Sequence, residues 1–161
     1  MKYLPFVFLL LGMWSCETAP ATNPCPEIPD QTAAARIALQ RHLDAVSGRD
    51  LATLRATLSP VATDMQLILP GAEISRSVDS FLVFHEVWFE DTTWTFETEI
   101  LDVVAGSEVA LGTTQVIYRE PERNGEPYFN RMIVTYGLRR VDGTWYVISD
   151  HASSVEKSTD G

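Results

Sequence analysis

Residues 129–154 read FNRMIVTYGLRRVDGTWYVISDHASS, and this stretch decides the fold. Two long runs rich in β-branched and aromatic residues flank the dipeptide Asp142-Gly143. An Asp-Gly pair tolerates the positive backbone φ of a tight turn, so the stretch predicts a hairpin of two strands, 129–141 and 145–154.

Two more strands are predicted on the N-terminal side of this hairpin. Residues 94–100 read WTFETEI and alternate between apolar and polar side chains, which is typical of a half-buried strand. Gly106-Ser107 separates them from a run at 109–119, and Asn124-Gly125 in the loop 120–127 is another hairpin signal. The second half of the chain therefore predicts four long antiparallel strands.

The first half predicts three helices. Asp30 is placed to cap a helix that ends at Ser47, Asp50 to cap a short second helix, and Ser77 to cap a third over residues 78–89. A short strand, 65–69, is expected between the second and third helices, closed by Pro70-Gly71. Helices followed by hairpin-linked strands predict an α+β domain with an antiparallel sheet wrapped around the helices.

This order of elements resembles the nuclear transport factor 2-like cone, in which three N-terminal helices pack in a curved antiparallel β-sheet. The segment RRVDGTWYV at residues 139–147, followed by HAS at 151–153, is similar to the RR-x-DG-x-W-x-(I/V)…H-x-S ending of SnoaL-like domains. The resemblance covers about residues 31–155. Members include ketosteroid isomerases, polyketide cyclases, dehydratases and domains that only bind ligands, so the resemblance implies a fold and leaves the activity open.

The open end of such a cone is expected to hold a mostly apolar pocket. A period of two along the last strand puts Trp145, Val147, Ser149, His151 and Ser153 on one face, which predicts that His151 and Ser153 face the interior. The pocket wall is expected to include Trp88 and Tyr118.

For the strand at 129–141, periodicity leaves both faces equally apolar. Resemblance to the kinase association domain of the superfamily implies that Arg131 and Thr135 face the pocket. Arg131 would then clamp a ligand carboxylate. The alternative for Arg131 is a surface salt bridge with Glu97 or Glu99.

His42 lies on the apolar stripe of the first helix. It matches the position of a tyrosine that, in ketosteroid isomerases, donates a hydrogen bond to the developing oxyanion. The aspartate base of those isomerases has no counterpart, because Leu69 stands before Pro70. The alternative for His42 and His151 is a pair of partly buried side chains satisfied by hydrogen bonds, and His85 is interpreted as a core or rim residue.

Two functions therefore remain open. The favoured one is a domain that binds a small apolar or amphipathic molecule without catalysis. The other is a cyclase, dehydratase or isomerase that uses His42 and His151 as acid and base. No cofactor is expected, and no metal either, because the three histidines of the chain show no ligand spacing.

The N-terminus predicts export. Lys2 precedes an apolar run at residues 4–14 that is too short to span a bilayer, so residues 1–15 are interpreted as a signal peptide. The sequence GMWSC at 12–16 resembles a bacterial lipobox, which implies lipidation of Cys16; an ordinary cleaved signal is the alternative. Residues 16–29 are then a proline-rich tether, 30–156 the domain and 157–161 a disordered tail. Glu17 favours the outer membrane by resemblance to bacterial sorting rules.

Composition limits the partners. The formal net charge is −10 and no basic stripe interrupts the acidic domain, which excludes nucleic acid. Once Cys16 is lipidated only Cys25 remains, so no disulfide forms within the domain. The expected partners are the membrane through the lipid, a small ligand, and a second copy of the chain in a homodimer formed through the outer sheet face.

Overall fold

The computed structural model describes residues 30–158, so the predicted signal peptide, the lipidation of Cys16, the tether and residues 159–161 lie outside the described residues. Three helices with two short strands between them come first, and four long strands follow, which confirms the predicted α+β fold class. In chain order they are α1 (Thr32–Ser47), α2 (Leu51–Ala56), β1 (Gln66–Ile68), β2 (Ile74–Ser75), α3 (Val78–Glu90), β3 (Thr95–Ala105), β4 (Val109–Arg123), β5 (Glu126–Val141) and β6 (Thr144–Lys157).

The predicted N-cap residue is correct for two of the three helices. The side chains of Asp50 and Ser77 accept hydrogen bonds from backbone N–H groups in the first turns of α2 and α3. The prediction for α1 is wrong by one residue: its cap is Gln31, whose side chain makes no capping bond, while Asp30 accepts from the N–H of Thr32. No helix within residues 30–158 is long and apolar enough to cross a bilayer.

All six strands form one sheet in the order β2-β1-β6-β5-β4-β3. The β4–β5 hairpin is longer than predicted, because the strands run up to a two-residue turn in which Asn124 and Gly125 both have positive φ. β1 joins the sheet parallel to β6, and β2, which the sequence did not predict, pairs with β1. β6 continues to Lys157, one residue beyond the predicted end of the domain at residue 156.

The core lies between α1, α3 and the concave face of this sheet. Leu39 and Leu43 on α1 are fully buried, as is Phe81 on α3. α1 approaches β4 at Gly112, where an added Cβ would stand 2.4 Å from a methyl group of Leu39. A side chain at that position would force the Leu39 side chain to shift within the core, so the close approach favours glycine.

Candidate functional site in the cone

A cavity of about 800 Å³ opens between α3 and the concave face of the sheet. Apolar and aromatic side chains make up most of its wall, with a smaller set of polar groups. Trp88 and Tyr118 both line it, where the sequence placed them. The other aromatic wall residues are Phe84, Phe96, Tyr128 and Tyr136.

The strand β6 contains a β-bulge that reverses its two faces. Pairing with β5 passes from Leu138↔Val147 to Gly137↔Ser149, so Ile148 is one extra residue on β6. Before the bulge Val147 is buried in the core; after it, Asp150, Ala152 and Ser154 line the cavity. A bulge interrupts the period of two that the sequence reading relied on.

The prediction that His151 and Ser153 face the pocket is therefore wrong. Both are exposed, and neither lines the cavity. His151 pairs with Thr135 on β5, and both lie on the convex side of the sheet.

The inward face of β5 is also the opposite of the predicted one. Asn130, Met132, Val134 and Tyr136 are buried and line the cavity, so the assignment of Arg131 and Thr135 to the pocket is wrong. Arg131 instead forms a surface ion pair with Glu156 at 3.0 Å, rather than with Glu97 or Glu99. Arg131 cannot clamp a ligand from this side of the sheet.

Asp150 is the acidic group that the bulge turns inward. It lies in the inner row of the sheet between Tyr136 on β5 and Leu67 on β1. The protein that surrounds the carboxyl removes water from it, which raises its pKa from 3.8 to about 7. Burial and the neighbouring Asp150 charge raise the pKa of the Tyr136 hydroxyl well above 10.

His85 reaches the cavity from α3. Its Nδ1 lies 2.8 Å from the carbonyl oxygen of Phe81, and since a carbonyl can only accept, Nδ1 carries the proton and Nε2 is an acceptor. Burial lowers the pKa of His85 to about 4, although the bond to Phe81 opposes this shift. The imidazole is therefore neutral at pH 7.

His42 does not line the cavity; it packs behind the wall, with its ring centroid 5.7 Å from that of Tyr136. The hydroxyl of Thr57 donates to the Leu54 carbonyl, so it accepts the Nδ1 proton of His42 at 2.8 Å. Nε2 is buried and has no partner within residues 30–158. Desolvation, helped by the nearby His85, lowers the pKa of His42 to about 3.

The acid–base pair of His42 and His151 is therefore not assembled. One histidine is fully buried behind the cavity wall, and the other is exposed on the convex face. The two partly buried, hydrogen-bonded histidines of the alternative interpretation are not observed either, because His42 is fully buried with Nε2 unpaired and His151 is exposed.

A polar cluster lies at the end of the cavity away from Asp150. The hydroxyl of Tyr118 donates to Glu120 at 2.6 Å, and the guanidinium of Arg123 binds both oxygens of the same carboxylate. Arg123 also lies over the ring of Tyr128, 3.5 Å from its centroid. These contacts tie the ends of β4 and β5 together and use the charge of Arg123 within the protein.

Sequence reasoning missed Asp150, Asn130 and Glu120 as cavity residues. A charged residue directly after the apolar run WYVIS was the available signal for Asp150, but the unbroken period of two assigned it to the outer face. Within residues 30–158 no group of three His, Cys, Asp or Glu side chains is arranged to hold a metal ion.

The cavity can thus enclose a mostly apolar molecule and present a carboxyl that gains or loses a proton near pH 7. A curved sheet closed by helices around such a cavity defines the class of cone-shaped α+β domains. The chain belongs to the SnoaL-like domain family, whose profile matches residues 36–156.

Solved structures agree with this fold. A ketosteroid isomerase-like protein from Erwinia carotovora atroseptica is 20% identical, covers 80% of this chain and 98% of its own, and superposes with a TM-score of 0.67. A nuclear transport factor 2-like protein of unknown function from Pseudomonas putida KT2440 is 24% identical over 77% of this chain and 88% of its own, with a TM-score of 0.63.

An epoxide hydrolase from M. tuberculosis is more distant, at 17% identity, coverage of 77% of this chain and 84% of its own, and a TM-score of 0.58. A comparison with curated proteins finds no match. At these identities the similarity establishes the fold and no activity.

Proposed function

We propose that this domain binds a small, mostly apolar molecule inside the cone. The observation that carries the proposal is the cavity itself: its volume of about 800 Å³ lies within the range of small-molecule sites. Its wall combines aromatic rings with a few polar groups, the composition that binds the body of a ligand and fixes its orientation.

Binding is a better-supported function than catalysis by the two histidines first considered. That chemistry needs both side chains within reach of one substrate, whereas His42 is buried behind the wall and His151 is exposed outside. The polar groups that do reach the cavity, Asp150 among them, are compatible with orienting a ligand.

Neighbouring residues on β6 provide a matched pair of variants to test the binding site. Ala152 lines the cavity, and the next residue, Ser153, is exposed on the convex face. We expect the purified full chain to bind the neutral fluorescent dye N-phenyl-1-naphthylamine. Ala152→Trp should weaken this binding at least tenfold, because the indole fills the volume that the dye needs.

The control is Ser153→Trp, which adds the same indole one residue away and should leave dye affinity within about twofold. Circular dichroism and thermal unfolding establish that both variants fold. Equal affinities in the parent chain and a folded Ala152→Trp variant would contradict binding in the cone.

We also propose that the domain is exported and held at a membrane by a lipid on Cys16, on the periplasmic or cell-surface side. The support is the short apolar run at residues 4–14 and the lipobox-like GMWSC at 12–16. The several acyl chains of such an anchor would make attachment effectively permanent, at about 0.8 kcal/mol for each buried CH₂.

Cys16→Ala should abolish incorporation of radiolabelled palmitate in a bacterial host and release the chain from the membrane fraction. Cys25→Ala, which changes the other cysteine of the chain, is the matched control and should keep the label. Label that persists in Cys16→Ala, or is lost in Cys25→Ala, would contradict the assignment of the anchor.

A further inference from the structure

The inner end of the cavity holds a carboxylate, that of Asp150, which forms no ion pair with a cationic side chain of residues 30–158. Among the described residues four arginines form ion pairs, and none of these pairs includes Asp150. They are Arg119, Arg123, Arg131 and Arg139. Lys157 lines the same cavity, but it pairs with Asn130, six residues along β5 from Tyr136. That offset separates the Lys157 and Asp150 backbones by roughly 20 Å. The charge of Asp150 must therefore be balanced by a proton or by a ligand.

Two other polar side chains on the wall, His85 and Asn130, each have an acceptor atom with no hydrogen bond from the described residues. Nε2 of His85 is an acceptor, because Nδ1 holds the proton that bonds to Phe81. Asn130 is 6% exposed and its Oδ1 accepts no hydrogen bond from residues 30–158, but it pairs with Lys157 at the far end of the cavity, roughly 20 Å from Asp150. The hydroxyl of Tyr118, which could have donated into the cavity, already donates to Glu120. A ligand that brings an N–H donor to the inner end of the cavity would pair with the Asp150 carboxylate, which takes part in none of the ion pairs described above.

The apolar part of the wall suits a cation as well as an apolar body. Aromatic faces carry negative potential and attract ammonium groups that lie over them. The ring next to Asp150 is that of Tyr136, which also lines the cavity, while Tyr128 at the far end already holds the Arg123 guanidinium on its face. An anionic group would instead approach Asp150 in a region where little water screens the repulsion.

We propose that the cavity takes an apolar amine, with the protonated nitrogen against the Asp150 carboxylate and the hydrocarbon body against Phe84, Trp88 and Phe96. The inference rests on the proposed binding function and adds the chemical class of the ligand. A charge-assisted hydrogen bond inside the cone contributes about 1.5–3 kcal/mol, equivalent to roughly 10–100-fold in affinity.

Three probes that share one aromatic body separate the ligand classes. They are 2-(2-naphthyl)ethylamine, the neutral 2-(2-naphthyl)ethanol and the anionic 2-naphthylacetate. A fourth, 2-acetylnaphthalene, offers only a carbonyl acceptor to a protonated Asp150. Isothermal titration calorimetry of the purified full chain at pH 8 should give a dissociation constant for the amine at least tenfold below that of the alcohol.

Asp150→Asn should bring the amine and the alcohol to within about threefold of each other while the alcohol keeps its affinity. The matched control is Asp142→Asn, which removes a carboxylate in the exposed β5–β6 turn, where the residue has φ 48° and asparagine is well tolerated. This variant should keep the full preference for the amine.

Equal affinity for amine and alcohol, tightest binding of the ketone or the anion, or a preference that survives Asp150→Asn would each overturn the inference. Failure of all four probes to bind would overturn it too. In that case binding by the domain is judged separately by the dye and the Ala152→Trp variant.

Discussion

Trp94→Ala should lower the free energy of unfolding by about 3–5 kcal/mol, the typical cost of truncating a buried tryptophan. Trp94 is 1% exposed and its ring stacks on that of Trp88, with centroids 4.3 Å apart and planes 12° from parallel. The indole Nε1 of Trp94 also donates to the Trp88 carbonyl at 3.1 Å, and the guanidinium carbon of Arg49 lies 3.7 Å from the centroid of the Trp94 ring.

The ring therefore joins α3, the start of β3 and the turn after α1 in one cluster. Arg49 strengthens this connection because its guanidinium also donates to the carbonyls of Asp91 and Trp94. Removing the indole leaves Trp88 without its stacking partner and Arg49 without its aromatic face. Since Trp88 lines the cavity, the damage should extend from stability to ligand binding.

Urea unfolding followed by far-ultraviolet circular dichroism measures this loss without using tryptophan fluorescence. Trp94→Phe keeps an aromatic ring and should lose less than half as much. Val104→Ala, on the exposed side of β3, should change stability by no more than about 0.5 kcal/mol. A loss below about 1 kcal/mol in Trp94→Ala would show that the cluster does not hold these elements together.

The second large effect is a loss of stability in mild acid. In the folded protein the pKa values of His42 and His85 fall from 6.5 to about 3 and about 4, because both rings are desolvated. Near pH 5 the unfolded chain therefore binds almost two protons that the folded chain does not. Asp150 acts in the opposite direction: its pKa rises from 3.8 to about 7, so between these values the folded chain binds one proton that the unfolded chain does not.

Near pH 5 the unfolded chain therefore binds about one proton more than the folded chain. Stability of the parent chain should thus fall by about 1 kcal/mol between pH 6 and pH 5. Asp150→Asn removes the opposing group, so its stability should fall about twice as steeply. The carboxyls whose pKa values are lowered, such as Asp50 and Asp91, lose stabilisation only at lower pH.

Urea midpoints at pH 6.0, 5.5 and 5.0 give both slopes, and Asp142→Asn serves as the control that should keep the parent slope. If the parent chain and Asp150→Asn have the same slope, the folded-state pKa of Asp150 is not near 7. A slope close to zero in both would show that the two histidines take up protons without unfolding.

The sequence alone predicted the three helices and the four long strands because their signals are local, whereas β2 and the parallel pairing of β1 with β6 were not predicted. Asp50 and Ser77 cap helices through their own side chains, and Asn124-Gly125 adopts the positive φ values that its hairpin requires. The cone itself was implied by the resemblance of the element order and of the ending RRVDGTWYV to SnoaL-like domains.

The residues that face the cavity were decided by the tertiary structure. One extra residue at Ile148 exchanges the faces of β6, bringing Asp150 inside and placing His151 outside. The charge of Asp150 was the one signal in the run WYVISDHAS, but it does not identify Ile148 as the extra residue, because Ile148 fits a regular strand as well as a bulge. The bulge exists only in the pairing with β5.

His42 illustrates the same division. Its helical spacing correctly placed it on the buried stripe of α1, but its distance from the cavity depends on Tyr136, which occupies the wall in front of it. Local spacing fixes which side of an element is buried. Contact between distant segments determines whether a buried group meets a ligand or only its neighbours.

The stretch at residues 129–154 therefore determined by itself that two long strands meet at Asp142-Gly143 and close an antiparallel sheet. Only the tertiary structure decided which of the two alternating sets of side chains on each strand faces the cavity. The physical reason is that strand alternation is a local property of the backbone, whereas its phase after a bulge is set by the hydrogen bonds of the neighbouring strand.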